Sequence, residues 1–62
     1  MVHYNDIQDG QTVKYFGYDC KVESKAQNED GYYLTLEQPN MLMMTIKHNV
    51  YSKDGYFKNI SL

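Results

Sequence analysis

The chain has 62 residues, a formal net charge of −2 and a single cysteine. A chain of this length is expected to form one domain over residues 1–62, and it buries only about 60% of the surface that its unfolded form exposes. One cysteine and two histidines exclude an intramolecular disulfide and fit no zinc site of known spacing. Oligomerisation is the stabilising device that remains for so small a fold, so a homodimer is a reasonable expectation.

Charge and composition narrow the class of partner and the source. All six basic residues are lysines, mixed along the chain with eight acids, which weakens any case for phosphate or guanine recognition. No segment resembles a signal peptide or the ~20 apolar residues of a membrane span, so we expect a cytoplasmic protein with no membrane partner. Frequent Lys, Asn, Tyr and Met without Arg or Trp is a usage that AT-rich genomes favour, and it indicates a low-GC bacterium or its phage.

The chain begins with an expected short edge strand over residues 1–7 and a turn cluster over residues 8–11. Residues 12–23 then predict the hairpin on which the rest of the chain packs. With Phe16 and Gly17 as a two-residue turn, apolar and polar side chains alternate onto two faces without exception. The predicted pairs are Tyr15–Tyr18 and Val13–Cys20 on the apolar face, and Lys14–Asp19 and Thr12–Lys21 on the polar face.

Two further hairpins follow, and the face that the leucines occupy sets their loop lengths. A three-residue loop at residues 29–31 keeps Leu34 and Leu36 on the face of Val22. A second three-residue loop, at residues 38–40, keeps that face continuous into the next strand. The predicted pairs are Ala26–Leu34, Ser24–Leu36, Leu36–Leu42, Leu34–Met44 and Tyr32–Ile46.

The last part of the chain gives weaker signals. Residues 47–51 form a short break, a continued strand or a single helical turn. Residues 52–55 form a turn, and residues 56–62 form a last strand with neither face cleanly apolar. The pattern predicts an all-β fold: an antiparallel meander of five to six short strands that curls into an SH3-like barrel or half-barrel. An OB-like fold is the alternative, although the chain is short for it.

Catalytic chemistry finds little support in the sequence. Cys20 is expected in the core, where a thiol is protonated and inert. His3 and His48 are expected to be surface polar residues, and the acids lie in turns or opposite lysines. No glycine-rich phosphate loop is present. We therefore expect no enzymatic activity, no catalytic or metal-binding residue and no cofactor.

The outer face of the predicted sheet carries the functional hypothesis. The predicted register turns Tyr33, Met41 and Met43 outward, where a one-sided sheet should be polar, and leaves Phe16 exposed at its turn. Met and Tyr are enriched in protein interfaces, so these four residues are the predicted partner-binding patch unless barrel curvature covers the methionines. The favoured function is a small non-enzymatic protein-binding module. It would be a phage- or mobile-element-encoded inhibitor or adaptor that occupies a surface of a larger partner protein.

A small β-barrel that binds single-stranded nucleic acid is the alternative function. Tyrosines and phenylalanines offer stacking surfaces, and four lysines share the outer face of the predicted sheet: Lys14, Lys21, Lys25 and Lys47. Acidic residues lie on the same face, however, and binding to phosphates requires excess positive charge. Nucleic acid is therefore the less favoured partner.

Overall fold

The computed structural model of the chain describes residues 1–40 and 42–62. Its elements in chain order are β1 (Val2–His3), a 3-10 helix (Tyr4–Asp6), β2 (Thr12–Tyr15), β3 (Tyr18–Asn28), β4 (Gly31–Pro39), β5 (Thr45–Ser52), β6 (Tyr56–Phe57) and β7 (Ile60–Ser61). All strand pairings are antiparallel. The predicted all-β class is therefore confirmed. Within the described ranges no helix is long and apolar enough to cross a membrane.

Five strands form one sheet in the order β5-β4-β3-β2-β7, and β1 pairs with β6 in a second, two-stranded sheet. The larger sheet is strongly curled. Tyr15 on β2 and His48 on β5 have ring centroids 5.1 Å apart, although a flat sheet would separate their strands by roughly 14 Å, three strand spacings. The predicted half-barrel is confirmed, and it is consistent with a small SH3-like barrel.

The hairpin of β2 and β3 has the register that the alternation predicts, in all four of its pairs. Its turn residues Phe16 and Gly17 have φ angles of 50° and 83°. Two successive positive φ values are the mark of a type I′ turn, whose twist matches that of the flanking strands. Glycine adopts this conformation freely, whereas the phenylalanine is held in a left-handed conformation that is unfavourable for its side chain.

The hairpin of β3 and β4 differs from its prediction. The turn has two residues, not three, because Asn28 and Gly31 pair directly. The Asn28 side chain closes it by accepting hydrogen bonds from the backbone N–H groups of Asp30 and Gly31, at 2.8 and 3.2 Å. The odd residue that keeps Val22 on the leucine face is instead a β-bulge at Glu23, where the register shifts.

This bulge changes what faces the core beyond it. Lys25, not Ala26, lies opposite Leu34 and therefore leaves the outer face on which the sequence analysis placed it. Its ammonium group lies 4.3 Å from the centre of the Tyr4 ring and donates to the Tyr4 carbonyl oxygen at 3.2 Å. The charge of the lysine is thus partly satisfied by the ring and by the carbonyl oxygen of one half-buried tyrosine.

The third hairpin also differs from its prediction, because its loop spans residues 40–44 and not 38–40. β4 continues to Pro39, which pairs with Thr45, so Leu36 lies opposite His48 and Leu34 opposite Val50. The predicted core pairings of Leu42, Met44 and Ile46 are therefore wrong, and all three side chains are exposed. Of the possibilities left open for residues 47–51, the structure shows the continued strand, since β5 runs through them to Ser52. Within the strand, His48 Nε2 lies 2.8 Å from the Gln38 side-chain oxygen.

The two ends of the chain meet the sheet as short strands. The expected N-terminal strand is only β1, after which the 3-10 helix directs Ile7 into the core. The expected last strand is broken at residues 58–59 into β6, which pairs with β1, and β7, which pairs with β2. The break lets Phe57 and Ile60 both face the core, which a single strand would forbid because the two positions differ in parity.

The core lies on the concave side of the half-barrel, with contributions from every strand except β5. Its buried members are Val2, Ile7, Val13, Cys20, Val22, Leu34, Leu36, Phe57 and Ile60. Four half-buried residues pack against them: Tyr4, Tyr15, Tyr32 and Val50. Among the described residues, no buried side-chain nitrogen or oxygen lacks a hydrogen-bond partner.

Candidate protein-interaction surface

The loop between β4 and β5 exposes three consecutive large apolar side chains, Leu42, Met43 and Met44, which we call the apolar loop. Met43 is 97% exposed and Leu42 77% exposed. Hydrophobic residues are normally exposed singly, so a contiguous exposed set marks a surface that contacts something else. The predicted outward position of Met43 agrees with its exposure. The predicted site residue Met41 lies outside the described residues.

Asn40 holds the apolar loop in one conformation. Its side-chain oxygen accepts hydrogen bonds from the backbone N–H groups of Leu42 and Met44, at 2.9 and 3.2 Å. Its backbone carbonyl accepts from the Met43 N–H at 3.2 Å, and its own N–H donates to the Met44 carbonyl at 3.1 Å. Met43 has a φ of 59° at the tip. The loop therefore presents its side chains from a hydrogen-bonded turn, which lowers the entropy lost on binding.

The turn between β2 and β3 exposes a second apolar pair, Phe16 and Tyr18, both 62% exposed. The Phe16 ring packs edge-on against Tyr15, with centroids 4.7 Å apart. β3 and β4 are antiparallel, and Lys21 pairs with Glu37. The start of β3, next to the Phe16 turn, and the end of β4, next to the apolar loop, therefore lie at the same end of the sheet. The predicted site residues Phe16 and Met43 thus belong to one end of the molecule.

Tyr33 lies elsewhere, on the convex face near the opposite end of β4. It faces Tyr51 across the β4–β5 pairing, with ring centroids 5.2 Å apart. The Tyr51 hydroxyl donates to the Asp30 carbonyl at 2.6 Å. Six residues of extended strand separate Tyr33 from Pro39, a distance of about 20 Å. The structure therefore does not bring Tyr33 together with the other predicted site residues.

Two of the outer lysines are engaged by acids. Lys14 lies 3.1 Å from the Asp19 carboxylate, and Lys47 lies 3.0 Å from that of Glu23. The hydrogen bond and the charge of Glu23 raise the pKa of Lys47 above its ordinary range. The bulge places Glu23 within reach of a strand two positions away in the sheet, so the same irregularity that corrects the register also neutralises part of the outer face.

An open groove separates β5 from β6 and β7, where the half-barrel fails to close. It has a volume of about 670 Å³. Its lining is mixed, with apolar side chains such as Tyr15, Val50 and Phe57 and charged ones such as Lys53 and Lys58. The Asp54 carboxylate at its rim accepts a hydrogen bond from the Tyr56 N–H at 3.0 Å and lies 3.0 Å from the Ser52 hydroxyl, and both contacts lower its pKa. Sequence reasoning missed this groove, because it depends on the break between β6 and β7.

The groups that the sequence offered for catalysis are placed in structural roles. Cys20 is buried in the core as predicted, and burial, with a smaller contribution from Asp19, raises the pKa of its thiol. The His3 Nδ1 accepts a hydrogen bond from the Asn5 N–H at 3.1 Å. In residues 1–40 and 42–62, no group of three or more His, Cys, Asp or Glu side chains is placed to hold a metal ion.

Comparison of the chain with protein-family models, with curated proteins and with solved structures found no match.

Proposed function

We propose that the chain is a non-enzymatic protein-binding module that acts by occupying a surface of a larger partner protein. The observation that supports this most directly is the apolar loop, because Leu42, Met43 and Met44 are exposed together and contribute nothing to the core. Methionine adapts its shape to a partner and is enriched in protein interfaces. Phe16 and Tyr18, at the same end of the sheet, extend the surface available to the partner.

The proposal extends to the kind of protein and to where it works. A binding module of 62 residues is suited to blocking or bridging another protein, and the composition favours a phage or mobile element as its source. Cys20 is a free, buried thiol, which suits the reducing conditions of the cytoplasm. We therefore propose an inhibitor or adaptor that acts in the cytoplasm.

The experiment is a pull-down from a lysate of the source organism, with and without nuclease, using the protein and a variant with Leu42, Met43 and Met44 all replaced by serine. The matched control is Leu62→Ser, because Leu62 is 64% exposed and lies outside the apolar loop. A protein captured after nuclease treatment by the parent and by the control, and lost by the loop variant, supports the proposal. Equal capture by all three proteins contradicts it.

A further inference from the structure

The outer edge of β5 has the properties of a strand that pairs with another chain. β5 pairs with β4 over eight consecutive positions without a register shift, and in the described part of the chain no strand pairs with its other side. Residues 45–52 contain no proline, and no bulge twists the edge away. Sheet edges that must stay single usually carry prolines, bulges or charged side chains, because a regular edge offers unpaired N–H and C=O groups. The charged side chain on β5 is Lys47, which lies on the convex face and is engaged by Glu23 at 3.0 Å.

A second copy of β5 can join this edge only in a few registers. The two sheets share a concave face only if Ile46, His48 and Val50 lie on the same side as their counterparts, which excludes half of the registers. Two antiparallel copies of β5 are related by a two-fold axis, and the register is fixed by the residue at that axis. With Lys47 at the axis, the two copies of Lys47 face each other, which is unfavourable because their charges are alike. Centring the axis on Asn49 places Ile46 opposite Ser52 of the second copy.

Centring the axis on His48 gives the best pairs. Ile46 then lies opposite Val50 of the second copy, so an apolar side chain that is exposed in the single chain meets a half-buried one. On the convex face, Lys47 lies opposite Asn49 of the second copy, and Thr45 lies opposite Tyr51. No lysine of β5 faces a like charge in this register. His48 faces its own counterpart once, at the axis, and each of the other pairs occurs twice by symmetry.

The same register brings together two features that are otherwise unexplained. Counting on from Thr45, Met44 lies opposite Ser52 of the second copy, and Ser52 lines the open groove. The apolar loop of each copy is thus carried to the mouth of the other copy's groove. There the half-buried Val50 offers an apolar contact, and Lys53 and Lys58 line the groove beside it. A stable interface needs roughly 800 Å² per partner, and the loop supplies side-chain burial that a strand edge alone lacks.

We infer that two copies of this chain pair antiparallel through β5, with His48 at the two-fold axis, to form a continuous ten-stranded sheet. The apolar loop of each copy packs at the groove of the other. This inference rests on the proposed function, since both assign the apolar loop to a contact with another protein. In the free protein that contact is a second copy, which a larger partner must displace to reach the loop. Phe16, Tyr18 and the convex Tyr33 remain exposed on both copies for a larger partner.

The first test uses charge at position 49, which faces Lys47 of the second copy. Sedimentation equilibrium over a range of concentrations gives the dimer dissociation constant of the purified chain. Asn49→Asp is expected to tighten the dimer about 2- to 30-fold and Asn49→Lys to weaken it by a similar factor, from two symmetric cross-strand pairs. Gln8→Glu and Gln8→Lys are the charge-matched controls, because Gln8 lies in an exposed loop, and neither should move the constant.

The second test reads the register directly. In a Cys20→Ala background, His48→Cys should form an intermolecular disulfide on mild oxidation, because the two copies of residue 48 face each other within disulfide reach. Asn49→Cys should not, since residue 49 faces residue 47. Circular dichroism confirms that each variant is folded.

Different outcomes separate the inference from the proposed function. A chain that is monomeric at every concentration, or a dimer that responds to neither charge at position 49, overturns the inference. A monomer that still captures a partner through the apolar loop leaves the proposed function standing. A dimer that assembles as described but captures no other protein leaves the inference standing and removes the larger partner.

Discussion

Gly31 begins β4 at the point where the β3–β4 turn approaches β5 most closely. A β-carbon placed on it would lie 2.6 Å from Cε1 of Tyr51 and 2.8 Å from the Ser52 carbonyl oxygen, and its φ is 151°. The tyrosine is itself fixed by its hydrogen bond to Asp30. Only glycine leaves room for the turn, the ring and the strand to meet, so this residue determines how tightly the second and third hairpins pack together.

Gly31→Ala is therefore expected to destabilise the fold by more than about 2 kcal/mol, since a backbone carbonyl must move to admit the methyl group. Gly10→Ala is the matched control, because Gly10 has a φ of 84° but nothing within 4 Å of its added carbon. The free energy of unfolding of this control should fall only by the cost of holding alanine in a left-handed conformation, about 1–2 kcal/mol. Urea denaturation of both variants measures the difference, and equal losses would show that the close approach is not limiting.

The strands themselves show which patterns a sequence reveals. The β2–β3 hairpin was predicted in full, because strict alternation on both strands and a glycine at its turn allow one register. The β3–β4 hairpin was not, since a three-residue loop and a two-residue turn with a bulge at Glu23 produce the same parity for Val22 and Leu36. Alternation constrains faces, and it does not locate the residue that is left out of the pairing.

The β2–β3 hairpin also permits a test that separates stability from binding. Phe16 has a φ of 50°, a conformation that asparagine tolerates far better, and Asn-Gly is the preferred type I′ pair. Phe16→Asn is therefore expected to stabilise the protein by about 1 kcal/mol, less whatever the contact with Tyr15 contributes. Thermal unfolding measures this change.

If Phe16 contributes to the partner surface, the same variant should bind the captured protein more weakly while it unfolds at a higher temperature. Tyr18→Ser provides the comparison, because it removes the neighbouring exposed aromatic without changing the turn. A Phe16→Asn variant that is stabilised and binds normally would show that the phenylalanine contributes neither to the stability of the fold nor to partner binding.

For the whole molecule, the sequence predicted the fold class, the curl and the buried Cys20, and it predicted exposure for Phe16 and Met43. It did not predict the apolar loop, because the parity argument placed Leu42 and Met44 in the core. It also missed the open groove. Both features depend on where β5 begins and on the break after Phe57, and these are set by side-chain hydrogen bonds at Asn40 and by packing, which alternation does not encode.

The charge of the whole molecule favours a protein partner over a single-stranded nucleic acid. The formal net charge is −2, Asp19 and Glu23 are paired with Lys14 and Lys47, and Lys25 lies against Tyr4 on the concave side. A single-stranded nucleic acid would meet a face whose lysines are partly neutralised. We therefore expect no measurable binding of a fluorescent single-stranded oligonucleotide even at about 50 mM salt.

The control is the double variant Asp19→Lys and Glu23→Lys, which raises the formal net charge from −2 to +2, since each substitution adds two charges to the chain. If the tyrosine-bearing sheet has the right shape for a strand of bases, this variant should bind the oligonucleotide. Its affinity should fall steeply between about 50 and 200 mM salt, because the release of counterions contributes less to binding as the salt concentration rises. Binding by the variant alone would show that the acids suppress nucleic-acid binding. Salt-dependent binding by the parent would instead make nucleic acid the partner, because it would mean that the paired lysines exchange their carboxylates for phosphates.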